Sequence, residues 1–400
     1  MFTTGSVYYI KSLGLDPLQL VLVGTAVEVT VFLFEVPTGV VADIWGRRAS
    51  VITGQSLMSL AYIGQGIIPY LKTTWSTAFS CFSLVVLAEI VRGVGWTFIS
   101  GAREAWITDE IGEAQVGVLY LKSSQAGLAA SLVGIAAGSW LASRELNLPY
   151  LTGGLVHLAL SLFLVAFMRE SGWKRQPPSR ARAWSAARMT LAQGVEAVAL
   201  RPVLLLIIVA TAFAGASSEG FDRLWGAHLL ARFEFPLPGM IPQVYWFGAI
   251  SAAVTLLSIA VTGVARRKVN TSDSRLVVKV LLCLTLLRAG SILAFGLSRT
   301  FGIAVCSLLI VGIANSLAEP LKDTWTSQYS GGPARATVIS MVGQSDALGQ
   351  MTVGPAVGYV ASRVSTTASM VFSALLLLPV LGAYFRSTRR EETQRCPRPA

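Results

Sequence analysis

Gly39-Val40-Val41-Ala42-Asp43-Ile44-Trp45-Gly46-Arg47-Arg48 joins two apolar runs, residues 18–42 and 49–70. Each run is long enough to cross about 30 Å of hydrocarbon as a helix of roughly 20 residues. The join is too short to be anything but a tight turn at the edge of the bilayer. Its paired arginines carry the positive charge that marks a cytoplasmic loop. An acid bracketed by glycines, followed at once by two arginines, is a costly set of residues to keep at a membrane boundary.

The rest of the chain repeats this pattern. Its 400 residues are 53% hydrophobic and 13% charged, against about 25% charged in a soluble domain, so too little polar surface exists to cover a water-soluble fold. Further apolar runs cover 82–108, 115–142, 151–167, 203–229, 243–264, 276–297, 301–325, 337–362 and 364–385, making eleven spans. The net charge of +11 would suggest nucleic acid in a soluble chain, but the basic residues gather in alternate connections. These are Arg47 and Arg48; Arg169, Lys174, Arg175, Arg180, Arg182 and Arg188; Arg266, Arg267 and Lys268; and Arg386, Arg389 and Arg390. That distribution follows the positive-inside rule, and it excludes a nucleic-acid partner while placing the long loop and the C-terminus in the cytoplasm.

Four cysteines without metal spacing and two histidines leave no metal cluster to assemble, and the cysteines read as small packing residues. Nothing pairs a nucleophile with a base, and no GxxxxGK[ST] loop is present, so neither an enzyme nor an ATP-driven pump is expected. No cofactor is expected either.

Pro177-Pro178 and the charges of 169–201 break the chain into two halves, giving a bundle over 1–168, a linker over 169–201, a second bundle over 202–386 and a basic tail over 387–400. Within the linker, Trp184, Ala187, Leu191, Val195 and Val198 form one apolar helical stripe. It lies either along the membrane surface or against the bundle's cytoplasmic face. The halves repeat weakly: Trp106 matches Trp325 and Arg47-Arg48 matches Arg266-Arg267 at an offset of 219, and Gly134 and Gly138 match Gly354 and Gly358 at 220. By that offset only residues 1–10 stand for a first span. Either the gene starts upstream or the first helix is missing.

With those residues in place, the 39–48 stretch resembles the G-x-x-x-D-x-x-G-R-R/K loop of the major facilitator superfamily, which joins its spans 2 and 3. The resemblance implies two pseudo-symmetric six-helix bundles, an all-α polytopic fold of about eleven full spans plus a truncated first helix. In that family Asp43 and Arg47 would pair with an acid at the cytoplasmic end of span 4, where Asp109 stands. Gly39, Asp43, Gly46, Arg47, Arg48 and Asp109 then form a latch; the alternative is a solvated turn with charge anchors. Arg92 looks like the family's buried span 4 arginine, often linked to proton coupling. Span 5 reads Ala130-x-x-x-Gly134-Ile135-x-x-Gly138-Ser139, a degenerate antiporter motif, while span 11 keeps Gly354-Pro355-Ala356-Val357-Gly358.

Ionisable residues inside a bilayer cost at least about 2.5–3.5 kcal/mol on insertion scales and so mark function by default. Glu28, Arg92, Arg288 and Asp346 sit mid-span. Glu28, Phe32, Glu35 and Gly39 share a helical stripe, which the pattern predicts to face the interior. Glu28 is then either a proton carrier or the ion-pair partner of Arg92. In span 7, Glu219 and Arg223 are one turn apart and can pair, whereas Asp222 and Arg223 point about 100° apart. That polar stretch lines a cavity or an outer gate, or else it stabilises the helix. Glu319, Lys322 and Asp323 read as interface charges, and Trp96 and Trp225 as weak candidates for substrate contact.

The resemblance implies a proton-coupled secondary transporter, a monomer in the cytoplasmic membrane that exports small amphipathic molecules as a drug–proton antiporter. An importer of the same fold and a non-transporting sensor or assembly protein are the alternatives.

Overall fold

The computed structural model describes residues 2–71, 80–172, 198, 201–268, 272–330 and 335–395. Among them every regular element is helical. After a short helical segment, α1 (residues 2–12), come α2 (Pro17–Trp45), α3 (Arg47–Leu71), α4 (Cys81–Ile111), α5 (Glu113–Arg144) and α6 (Leu148–Phe167). Then follow α7 (Pro202–Arg232), α8 (Gln243–Lys268), α9 (Ser274–Leu297), α10 (Phe301–Tyr329), α11 (Arg335–Arg363), α12 (Thr366–Leu375) and α13 (Leu378–Arg395). The linker helix expected at 184–198 lies outside the described residues apart from Val198, as do the final residues of the basic tail.

Among the described residues, ten helices or helix pairs are long and apolar enough to cross a membrane. The tenth of the eleven expected spans, residues 337–362, forms α11, a full-length helix that is not among those ten; Gln344, Ser345, Asp346 and Gln350 lower its hydropathy. The last expected span differs in form, because it breaks between Leu375 and Leu378. Pro379, in the first turn of α13, has no N–H to continue the ladder and its ring clashes with the preceding turn. Part of the expected tail is also helix, since α13 runs on to Arg395.

Local chemistry sets the ends. Asp16 Oδ1 accepts from Gln19 N at 3.0 Å while Gln19 Oε1 accepts from Asp16 N at 3.0 Å, a reciprocal cap that starts α2 with Pro17 at its first position. Gly46, at φ 102°, ends α2 and turns the chain directly into α3. Ser80, Thr300 and Ser365 cap α4, α10 and α12 through their hydroxyls.

The chain divides into two compact units, Met1–Ala183 with Leu237–Ala249, and Trp184–Pro236 with Ile250–Ala400. In the first, α4 packs against α2 and α3, and α3 also against α6. Glycine permits the α3–α4 approach: a Cβ on Gly54 would stand 2.6 Å from Gly95 O. In the second, α7 pairs with α11, α9 with α10, and α12 and α13 close on α7 and α9. Here Gly215 and Gly349 bring the α7 and α11 backbones into contact, so that a Cβ on Gly349 would overlap Ala212 O.

One packing expectation needs correction. The buried face of α2 includes Leu20, Val23, Gly24, Val27 and Thr30, turned onto α4, where Gly93 would meet Thr30 if it carried a Cβ. Along the Glu28–Gly39 stripe, Glu28 and Phe32 are half-buried, and Glu35 and Gly39 are exposed. Cys283 and Cys306 are exposed and Cys81 is half-buried, so none is a buried packing residue.

Candidate functional site

Three polar assemblies stand out from the apolar helices. The first is at the α2–α3 turn. Gly46 caps α3 without a side chain, so the first amides of α3 need acceptors from elsewhere. Glu170, just beyond α6, supplies them: its Oε1 accepts from Arg47 N at 2.5 Å and from Arg48 N at 3.2 Å. The Arg47 guanidinium projects to the end of α4, where Nη1 lies 2.6 Å from Asp109 Oδ2. Arg48 turns the other way, donating to Met168 O at 2.7 Å and Val165 O at 2.5 Å. Asp43 is exposed, and open space surrounds Gly39. Of the expected latch residues, Gly46, Arg47, Arg48 and Asp109 are thus held in one cluster, and Glu170 is an addition.

The second assembly lies inside the first unit. Arg92 has a carboxylate partner that the sequence reading passed over: Glu89, three residues earlier, whose Oε2 is 2.5 Å from both Nε and Nη2 of Arg92. Glu89 Oε1 accepts from Gln65 Nε2 at 2.8 Å and from Tyr9 Oη at 3.1 Å. Tyr8 Oη donates to Gln65 O at 2.5 Å, and the Tyr8 ring packs on Tyr150 at 4.7 Å between centroids. Glu89 is only 5% exposed. A carboxylate removed from water is tolerable when its lone pairs are filled by charged and neutral donors, and here four are present. Residues 2–12 are thereby pinned to α3 and α4 by two tyrosines.

The third assembly belongs to the second unit. Glu219 and Arg223 pair across one turn of α7, with Oε1 to Nε at 3.0 Å. Asp222, between them in sequence, is exposed. Below them a cavity of about 320 Å³ is lined by Thr211 of α7, by Glu319, Lys322, Asp323 and Thr326 of α10, and by Asp346 of α11. Lys322 Nζ holds Glu319 Oε2 at 2.7 Å, and Asp346 Oδ2 accepts from Gln350 Nε2 at 2.7 Å. Glu319 and Asp323, read from sequence as interface charges, therefore line a cavity with Asp346. Arg288 of α9 lies within electrostatic reach of Asp222, Glu319 and Asp346. Its buried Nε and Nη2 have no hydrogen-bond partner among the described residues. Gly354 and Gly358 are buried and Pro355 is half-buried in α11.

No group of His, Cys, Asp and Glu suited to a metal ion occurs among the described residues. Three carboxylates, one lysine and hydroxyls around a cavity can hold a proton or a polar solute, and they offer no nucleophile with a base.

Comparison with known proteins places these features. No protein-family model matches the chain. Over 380 residues it is 22% identical to the uncharacterized MFS-type transporter YxaM of Bacillus subtilis (strain 168), covering 94% of this chain and 89% of that protein. It is 22% identical over 365 residues to the multidrug resistance protein MdtH of Blochmanniella pennsylvanica (strain BPEN), covering 88% and 79%. The crystal structure of the nucleoside transporter NupG superposes with a TM-score of 0.75 at 14% identity, over 96% of this chain and 94% of that one. A POT family transporter in complex with 5-aminolevulinic acid superposes at 0.71 and 13% identity, over 97% and 92%. The two solved structures share the fold.

Proposed function

We propose that the chain is a membrane transporter of the major facilitator superfamily that exports small amphipathic molecules across the cytoplasmic membrane in exchange for protons, by alternating access, a reading supported by its similarity to an MFS-type transporter and a multidrug resistance protein. The observation that carries this reading is the cavity of the second unit, where Asp346, Glu319 and Asp323 stand with a single lysine among hydroxyls. Asp346 is half-buried there while Glu319 and Asp323 are exposed, and a carboxylate partly withdrawn from water exchanges its proton in response to a nearby charge, which is what coupling demands. Asp346 is the proton-exchanging group there, with Arg288 as the cation that competes for it. Glu28, Glu35 and Arg92 of the first unit and Glu219, Asp222 and Arg223 of α7 are the further ionisable groups assigned to proton or substrate contact in this reading. The multidrug name of the Blochmanniella relative supports the export direction.

The α2–α3 turn is the cytoplasmic latch in this reading. Asp43 and the Arg47–Asp109 pair hold one state, and the buried Gly354-Pro355-x-x-Gly358 segment of α11 is the flexing element. The protein works as a monomer with its linker and C-terminus in the cytoplasm. A solute importer is the second reading, favoured by the nucleoside and peptide transporters that share the fold.

Inverted membrane vesicles carrying the protein, energised with a pH gradient and challenged with ethidium and a panel of lipophilic antibiotics, test the proposal. Compound-dependent collapse of the gradient is expected. Silence across the panel from folded protein, together with gradient-driven uptake of nucleosides or dipeptides in right-side-out vesicles, would replace export by import. Glu28→Gln and Asp346→Asn are the variants to run beside it: whichever carries the proton leaves ethidium movement intact but insensitive to the gradient.

A further inference from the structure

The segment 168–172, where α6 gives way to the linker, is laced to two other helices by a reciprocal exchange of carboxylates. Glu170 of the segment caps α3 through the amides of Arg47 and Arg48. In return Glu110, in the last turn of α4, caps the segment: its Oε1 accepts from Ser171 N at 2.6 Å and Gly172 N at 2.9 Å, and its Oε2 from Ser171 Oγ at 2.6 Å. Trp106 Nε1 adds a donor to Arg169 O at 2.7 Å. Beneath these bonds Met168 joins Ala42, Val51 and Ala102 in a small apolar core, with Trp106 and Leu164 packed on it.

Two glycines leave room for the arrangement. A Cβ on Gly46 would stand 2.7 Å from Glu170 Oε2, and one on Gly172 would stand 2.5 Å from Asp109 O. Both are closer than atoms approach, so a side chain at Gly172 displaces the segment from the Asp109 backbone and one at Gly46 displaces the Glu170 carboxylate. Gly172 brings the segment against the backbone of Asp109 itself, the partner of Arg47. One five-residue stretch thus reaches both members of the Arg47–Asp109 pair: Glu170 accepts from the backbone amide of Arg47, and Gly172 packs against the backbone of Asp109.

We propose that Glu170 is the positioning residue of the Arg47–Asp109 pair, and that 168–172 is a strap that sets its geometry from the end of α6. An anion at a helix N-terminus is favoured by the helix dipole as well as by the amides. The first turn of α3 is the point at which the Arg47 side chain is aimed. Removing Glu170 frees two amides and lets that turn fray, so the guanidinium loses its fixed approach to Asp109. The transport consequence rests on the latch reading given above; the positioning itself does not.

The test uses the full chain in lipid nanodiscs. Hydrogen–deuterium exchange is followed at the Arg47 and Arg48 amides, with thermal unfolding of Glu170→Ala, Glu170→Gln, Asp109→Asn and the Glu170→Ala/Asp109→Asn double variant. Glu170→Ala is expected to speed exchange at both amides by about tenfold or more. Glu170→Gln, whose carbonyl still accepts, should keep exchange within about threefold of the parent. The double variant should unfold at about the temperature of Glu170→Ala alone, because the ion pair is already lost there. Unchanged exchange in Glu170→Ala overturns the capping contact, and strictly additive unfolding shifts overturn the positioning role. A parent protein that fails to move ethidium counts against the export proposal only, since neither readout here involves transport.

Discussion

Arg47 Nη1 and Asp109 Oδ2 are 2.6 Å apart between the first turn of α3 and the last turn of α4, with side-chain exposures of 21% and 33%. A partly exposed pair of this kind contributes little to stability, about 1 kcal/mol or less. Its value to the molecule lies in which arrangement it favours. The neutral variants Arg47→Gln and Asp109→Asn are expected to leave the unfolding temperature within a few degrees of the parent while cutting turnover in the vesicle assay. Turnover equal to the parent in both would remove the pair from the mechanism.

Glu89 and Arg92 behave differently because both are buried, with 7% and 14% of their side chains exposed. Truncating one member of a buried pair strands the other, at a cost of about 3–5 kcal/mol. Glu89→Ala is therefore expected to unfold far below the parent. Arg92→Met in that background should recover a large part of the loss, which a thermal scan of single and double variants measures. Independent, additive losses would mean that the two side chains are stabilised by separate neighbours.

The glycines of the first unit make a paired prediction. Gly54→Ala would place a methyl 2.5 Å from Ile99 Cγ1 and 2.6 Å from Gly95 O, and overpacking of this sort costs about 1–3 kcal/mol. Gly39→Ala meets nothing within 4 Å and exchanges glycine for a better helix former, so its stability should equal or exceed the parent's. Melting temperatures that fall in the opposite order would show the α3–α4 approach to be looser than described.

Gly46→Ala combines two penalties, a left-handed backbone at φ 102° and a collision with the Glu170 carboxylate. Expression of folded protein should drop sharply. Adding Glu170→Ala relieves the collision but leaves the backbone strain and removes the acceptor of the Arg47 and Arg48 amides, so at most a small rescue is the expected result in a size-exclusion assay; full rescue would mean that the backbone accepts alanine without strain.

The spans were legible because lipid demands runs of about 20 apolar residues, a constraint stronger than any found in soluble proteins. Glu219 and Arg223 were legible as neighbours because a helix places residues four apart on one face. Glu89 left the same sort of signal, an acid three residues before Arg92 in an apolar run. Tyr8, Tyr9 and Gln65 left none: Tyr8 and Gln65 are 57 positions apart, Tyr9 and Glu89 80, and only packing brings them together. Glu170 reads in sequence as one more charge at the start of a polar linker. Its role follows from the empty cap position at Gly46, which becomes visible only when α6 returns to the α2–α3 turn.

In the second unit α7 and α11 meet backbone to backbone at Gly215, Ala212, Asp346 and Gly349. Helices separated by interdigitating side chains can slide by repacking rotamers, but chains in direct contact have nothing soft between them. The pair can only tilt together or come apart, so it acts as one stiff beam. Asp346 is mounted on that beam and Glu319 on α10, so any motion of α10 against it changes the distance between two carboxylates. A distance label on each helix would read a change of cavity charge as a change in length.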